Sequence, residues 1–472
     1  MISNYLPTDY QTFIATSRYA RWIEDKGRRE TWVETVQRYT DYLHSKGINL
    51  TGQDWDDIEG AILELEVMPS MRALMTAGVA ADRDNTCIYN CSYVAVDHPR
   101  AFDEAMFILL CGTGVGFSVE RQAISQLPEI PNTLGQSEDV IAVQDSKEGW
   151  AKALRKLISL LYTGDIPKWD LDKIRPAGSR LKTFGGRASG PEPLNDLFNF
   201  VVAKFKGAMG RKLNSIECHD IMCKIGEVVV VGGVRRSAMI SLSNLSDTRM
   251  AHAKSGSWWE NEKQRALANN SACYTEKPDS ETFLREWLAL VESKAGERGI
   301  FSRVAAEAHV AKNGRRETGY AWGTNPCSEI ILRSNQFCNL TEVVVRETDD
   351  LASLKRKVRL ATILGTAQAT FTHMPYLRPI WTKNTSEERL LGVSLTGIMD
   401  HPVLGKNVDS PKWLAEMKQV AIDTNAEYAE RLGIEVSAAI TCVKPSGTVS
   451  QLVDSASGIH ARHSDHYIRT VR

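Results

Sequence analysis

The stretch NPCSEIILRSNQFCNLTEVVV, residues 325–345, ends in a run of branched apolar residues that reads as a buried strand. Two more short apolar runs follow, RLLGVSLTGIM at 389–399 and AAITCV at 438–443, with helical stretches between them. Helices alternating with buried strands are the pattern of an α/β architecture with mainly parallel strands. The same stretch carries Cys327 and, eleven residues later, Cys338. On spacing alone these two thiols stand open to four readings: packing residues, metal ligands, a disulfide or redox reagents.

Composition narrows the class. The chain has 472 residues, 43% hydrophobic and 24% charged, with a formal net charge of −1. That is enough for one large domain or two to three smaller ones. A balanced charge offers no dominant basic field, which argues against nonspecific binding to nucleic acid or a membrane surface. No apolar run reaches bilayer length. The N-terminal MISNYLPTDYQTFIATSRYARW lacks the basic-then-apolar order of a secretory signal, so a cytoplasmic location is expected. Nine cysteines in such a chain are read as thiols, not as a secreted disulfide framework.

Residues 10–46 place Trp, Val, Tyr and Leu at helical spacing, and a helical N-terminal cap over 1–80 is expected, with the catalytic body over 81–472. Residues 84–120 read as strand, helix, Gly-rich turn and strand. Within them CGTGVG (111–116) is not the dinucleotide-binding fingerprint, because its third glycine comes one residue early; a ligand contact and a plain tight turn both remain open. Residues 172–192 are rich in Gly and Pro and carry Lys173, Arg175, Arg180, Lys182 and Arg187, a long loop with either an anion role or a solvated one. A helix at 195–210 has Leu197, Val201 and Phe205 at spacing four. A second, at 215–230, is capped by Asn214 with Glu217 as its capping-box partner and carries Ile221, Ile225 and Val228.

Near the C-terminus TCVKPSGTVSQL (441–452) reads as strand, turn and helix start. There Ser446, Gly447 and Thr448 either meet a phosphate or simply cap a helix. His460, His463 and His466 sit in an irregular turn without a partner motif, so no metal site is expected from them. The pairs Cys87/Cys91 and Cys218/Cys223 lack a matching second pair and read as structural.

Taken in order, these segments resemble the catalytic chain of ribonucleotide reductases, and most nearly the adenosylcobalamin-dependent class II enzymes. The resemblance is carried by NCSYV (90–94), GTGVGFSVE (112–120), GGVRRSAMISLSN (232–244), ANNSA (268–272), NPCSEI (325–330), FCNL (337–340), LLGVSLTGIMD (390–400) and KPSGTVSQ (444–451), and so covers nearly the whole chain. It implies an α/β fold, a ten-stranded barrel of two antiparallel halves, each of five parallel strands, expected here in a minimal or C-terminally truncated form. It implies that Cys327 becomes a thiyl radical and abstracts the ribose 3′ hydrogen. Glu329 acts as the base on the 3′ hydroxyl, with a raised pKa where buried, and Asn325 binds the sugar. Cys91 and Cys338 supply two electrons and end as a disulfide; Cys87 is the rival of Cys91, but NCSYV is the matching segment. Ser446, Gly447 and Thr448, with Gly114 and Gly116, hold substrate phosphates.

The expected activity is reduction of ribonucleoside di- or triphosphates to deoxyribonucleotides. The alternative is an inactive nucleotide-binding relative or fragment; a simple dithiol oxidoreductase would need the CxxC motif that is missing here. Adenosylcobalamin is the implied radical source, with a separate ferritin-like metal-containing subunit as the alternative. The partners implied are the ribonucleotide, a deoxynucleotide effector and an external reductant such as thioredoxin. The effector elements fall at 172–244, with Asp172, Arg180, Arg235 and Arg236 as contacts. With Cys91 so near the start of the sequence, the N-terminal regulatory domain of many relatives is not expected here, and re-reduction of Cys91 and Cys338 is expected from the external reductant. Monomeric class II relatives carry an inserted segment that imitates a second subunit. The distance from Cys91 to Cys327 reads as too short for one, so a homodimer through an exposed stripe of Leu197, Val201, Ile221 and Ile225 is expected.

Overall fold

Parallel strands cannot be joined by tight turns, so each needs a crossover, and burial on both faces makes each an apolar run. The computed structural model describes residues 5–179, 187–231, 238–406, 408–468 and 470, and the chain divides into two units. One is Cys91–Phe337 with Met374–Asn384; the other is Met1–Asn90, Cys338–His373 and Thr385–Arg472.

The first unit holds a five-stranded parallel sheet: β1 (Cys91–Ala95), β2 (Gly114–Ser118), β3 (Met239–Asn244), β4 (Ala268–Tyr274) and β5 (Gly299–Ser302), neighbours in chain order. Helix α1 (Arg100–Leu110) makes the first crossover, and Gly112 at φ +82° turns the chain into β2. This is the strand, helix, turn and strand read at 84–120. Between β2 and β3 lies a smaller parallel pair, Gly135–Ala142 with Asp165–Asp170, joined by α2 (Lys147–Thr163). Next come α3 (Glu192–Gly207) and α4 (Ser215–Val231). The capping box forms as read: the Asn214 N–H donates to Glu217 Oε2 at 2.9 Å, and the Glu217 N–H to Asn214 Oδ1 at 3.0 Å.

The stripe on these helices requires a correction. Leu197, Val201, Ile221 and Ile225 are fully buried within the chain, where α3 packs on α2 and α4, and α4 also packs on α1. Their apolar area is already removed from water, at roughly 1.5–3 kcal/mol per large side chain, and no partner subunit is needed to cover it. Exposed large apolar side chains occur instead on helix Ser280–Ser293, at Leu284, Trp287, Leu288 and Val291.

In the second unit β6 (Gln336–Val344) pairs in parallel with β7 (Leu391–Thr396), and Val67–Met68 runs antiparallel to β6. The run AAITCV contributes one parallel bridge, Val393 to Thr441, among the described residues. A five-stranded parallel sheet thus stands in the first unit, beside its smaller parallel pair, and among the described residues the second holds β6, β7, Val67–Met68 and that bridge. Buried polar groups on β6 are satisfied locally: Asn339 Oδ1 accepts from Gln368 Nε2 at 3.1 Å and its Nδ2 donates to the Leu390 carbonyl at 3.2 Å. The N-terminal helices Trp32–Ser45 and Gly52–Leu63 share this unit with Leu351–Gln368 and Ser410–Leu432, through Tyr39 Oη to Gln368 Oε1 at 3.1 Å and Tyr428 Oη to Asp54 Oδ1 at 2.7 Å. Among the described residues no helix is long and apolar enough to cross a membrane.

Candidate active site

The NPCSEI segment is the loop of a very small hairpin. Gly323–Thr324 and Ile331–Leu332 pair antiparallel through two rungs, leaving 325–330 between them. A two-rung ladder is marginal in isolation, so its position is set by what it rests on. Two glycines let it come close. A Cβ on Gly116 of β2 would lie 1.7 Å from the Thr324 carbonyl oxygen, and one on Gly323 would lie 2.1 Å from the ring of Tyr93 on β1. Gly116 was expected at a substrate phosphate; here the space beside its Cα is filled by the hairpin backbone. Gly116→Ala should therefore displace the loop and lower kcat about 10²-fold, the usual cost of misplacing reacting groups by an ångström. Steady-state kinetics beside a thermal unfolding curve check this, and an unaltered kcat would contradict it.

Inside the loop, Asn325 is the organising side chain. It is buried; its Oδ1 accepts from the Ile330 N–H at 3.0 Å and its carbonyl from the Ser328 N–H at 3.0 Å, with Ser328 at φ +63°. This tight turn leaves Cys327 exposed at the tip. Asn325 Nδ2 donates to Glu329 Oε2 at 2.5 Å and to the sulfur of Cys91, on β1, at 3.2 Å. Glu329 Oε1 lies 3.9 Å from that sulfur. The sequence placed these residues 234 and 238 positions apart, and the fold brings Cys91, Asn325 and Glu329 together. A carboxylate, an amide and a thiol thus sit beside an exposed second thiol, a set able to move both protons and hydrogen atoms.

The remaining candidates are placed as follows. Cys338 is buried on β6, its sulfur 3.3 Å from the Asn339 carbonyl. Cys87 is buried in the turn Asn85–Ile88, its sulfur 3.4 Å from the Asp84 carbonyl. Cys218 and Cys223 are buried in α4, and burial pushes both thiols up; Cys223 lies 3.4 Å from His219 Nε2. Ser446 is buried with φ +56°, its hydroxyl donating to Glu342 Oε2 at 2.7 Å while Lys444 pairs with Glu342 Oε1 at 2.5 Å. Gly447 is exposed and Thr448 half-buried ahead of the short helix Val449–Val453. Gly114 begins β2 opposite Cys91. Asp172 is exposed, its N–H donating to Asp170 Oδ1 at 2.9 Å. Arg180, Arg235 and Arg236 lie outside the described residues.

Sequence reasoning passed over the residues that seat the hairpin. Trp322 precedes its first strand, is fully buried against Ala306 and Val310, bonds Glu307 through its indole N–H, and accepts on its carbonyl from Arg303 Nε at 3.0 Å. Arg303 in turn holds Glu120 through two bonds of 2.9 and 2.6 Å.

Residues 123–203 match the family model described as "B12-dependent ribonucleotide reductase, insertion domain". That range covers the small parallel pair, α2 and most of α3. It corrects the expectation that the chain between Cys91 and Cys327 is too short for an inserted segment. The polar, exposed strand Gly135–Ala142 gave no apolar alternation by which to recognise it. Along its length the chain is similar to the adenosylcobalamin-dependent ribonucleoside-triphosphate reductase of Lacticaseibacillus paracasei, 29% identical over 96% of this chain and 73% of that protein. The enzyme of the same name from Euglena gracilis is 28% identical over 96% of this chain and 64% of its own. A crystal structure of a B12-dependent class II ribonucleotide reductase superposes with a TM-score of 0.78 at 24% identity, covering 95% of this chain and 74% of that one. The Actinobacillus ureae class Id alpha subunit superposes at 0.59 with 13% identity, over 98% and 77% of the two chains.

Proposed function

We infer that the chain is a ribonucleotide reductase catalytic chain of the adenosylcobalamin-dependent class II kind, reducing ribonucleoside triphosphates to their deoxy forms. The observation that carries this reading is the loop 325–330, which sets Asn325, Glu329 and Cys91 in mutual contact beside an exposed Cys327.

Cys327 suits a radical delivered from a separately bound group, because it is exposed while Asn325 beside it is covered. Adenosylcobalamin, when bound, supplies the oxidising equivalent that turns the Cys327 thiol into a thiyl radical. Cys327 then takes the 3′ hydrogen atom from the ribose, and Glu329 accepts the 3′ hydroxyl proton, a role its direct bond to Asn325 orients. The 2′ hydroxyl leaves as water. The thiols of Cys91 and Cys338, the pair implied by the resemblance, give two electrons and two protons and close as a disulfide. Cys327 returns its hydrogen to C3′, and an external dithiol such as thioredoxin reopens the disulfide. The turn Ser446–Thr448 is the proposed contact for substrate phosphates through backbone N–H groups, since the Ser446 hydroxyl is already engaged by Glu342. Incubation with the four ribonucleoside triphosphates, adenosylcobalamin and dithiothreitol tests the reading. Deoxynucleotide is the expected product; its absence with every triphosphate and effector overturns the reading, and formation from diphosphates alone would move the substrate class.

The matched insertion and the buried stripe also revise the quaternary expectation. The inserted segment, with α3 and α4, supports a single chain that supplies both sides of its own effector site, Asp172 remaining the proposed sugar contact. Sedimentation at tens of micromolar should show a monomer with and without thymidine triphosphate. A dimer that forms only with the nucleotide would reinstate the homodimer, since a ligand selective for the dimer drives association by mass action.

A further inference from the structure

We propose that Arg316 is a positioning residue for the reaction, fixing how the hairpin presents Cys327, Asn325 and Glu329. The inference rests on the proposed reading of the loop and adds to it a residue outside every recognised motif.

Arg316 is buried and touches both sides of the hairpin's base. Its guanidinium carbon stands 4.5 Å from the centre of the Trp322 ring, on the chain entering the hairpin. Its Nη1 donates to the Ile331 carbonyl at 2.8 Å, on the returning strand. Its Nη2 donates to Gln336 Oε1 at 3.2 Å, five residues further on. Gln336 is itself fixed, its Oε1 accepting from the Arg333 N–H at 2.9 Å and its Nε2 donating to the Asn384 carbonyl at 3.1 Å.

A planar fork that stacks on one side and donates to two acceptors on the other holds three points at once. With two ladder rungs between entry and return, those points decide whether loop 325–330 sits against β1. What the seating protects is visible in Cys91. It is buried, and Asn325 and Glu329, both on the loop, are in contact with its sulfur. Lysine at 316 keeps the charge but cannot stack as a plane while meeting both acceptors, so the loop would loosen without the unit unfolding.

Two variants, Arg316→Lys and Arg316→Ala, test this through alkylation by iodoacetamide, read peptide by peptide by mass spectrometry, beside kinetics and circular dichroism. The expected result for Arg316→Lys is a native spectrum, labelling of Cys91 accelerated about 5-fold or more, and labelling of the helix thiols Cys218 and Cys223 unchanged. In the same chain kcat should fall roughly 10-fold to 10²-fold with KM within about two-fold, the signature of disturbed geometry at intact substrate affinity. Should Arg316→Ala fail to fold, the lysine variant decides alone. Unchanged Cys91 labelling in a folded Arg316→Lys chain overturns the proposal. So does equal acceleration at Cys91, Cys218 and Cys223, which would make Arg316 a general structural residue. The labelling needs no turnover, so a parent chain without reductase activity would sink the proposed reaction while leaving the positioning of the loop decided on its own result.

Discussion

Cys327→Ser should leave no detectable turnover in a chain that folds and binds nucleotide like its parent. In the proposed reaction sulfur is required at this position because an S–H bond is close in strength to the activated C–H bond of the ribose, so a hydrogen atom can pass in both directions. A serine O–H bond is far stronger, and the radical could not be formed on it. The substitution is gentle structurally: Cys327 is exposed at the loop tip, and the bonds that shape the loop belong to Asn325, Ser328 and Ile330. Thermal midpoint and nucleotide affinity should therefore match the parent while product formation is lost. Residual activity of a few per cent, after contaminating parent enzyme is excluded by mass spectrometry, would remove Cys327 from the radical step.

Glu329→Gln should lower kcat by about 10²–10⁴-fold, the usual contribution of a positioned general base. That corresponds to roughly 2.7–5.4 kcal/mol of transition-state stabilisation. Glutamine is the informative replacement because its side-chain oxygen can still accept from Asn325 Nδ2, so the loop keeps its internal bond and only the proton acceptor is lost. KM should stay within about two-fold. A large rise in KM with kcat unchanged would instead make Glu329 a binding residue.

The legible part of the fold was the part governed by local pattern. Residues 84–120 gave strand, helix, turn and strand because each buried element is apolar in its own period, and the Asn214–Glu217 box marked the start of α4 to within a residue. Asn325, Cys327 and Glu329 were proposed through a motif, and the structure brings two of them, Asn325 and Glu329, to the sulfur of Cys91. What could not be read was what each face meets. The apolar stripe at Leu197, Val201, Ile221 and Ile225 is genuine, but periodicity does not say whether its cover comes from a second subunit or from the same chain. Arg316 was invisible for a similar reason: its contacts with Trp322, Ile331 and Gln336 come from positions with no recognisable spacing. AAITCV was read as a strand, and its backbone does pair beside β7: the Leu391 and Val393 N–H groups donate to the Ala439 and Ile440 carbonyls at 3.0 and 2.8 Å, and the Cys442 N–H to the Val393 carbonyl at 3.1 Å.

The close seating of Gly116 and Gly323 bears on how sequence variation in this chain should be interpreted. At Gly116 the obstacle is a backbone carbonyl, and at Gly323 the ring of a fully buried tyrosine, so neither neighbour can swing aside as a flexible side-chain end would. In a saturation library selected for deoxynucleotide synthesis, both positions should be purged of every residue but glycine, as severely as position 327 is purged of all but cysteine. Invariance at 327 would report the chemistry of an atom, whereas invariance at 116 and 323 would report the absence of one. A ranking of positions by intolerance alone would merge the two classes, and only the direction in which each side chain fails, lost reactivity or lost room, tells them apart.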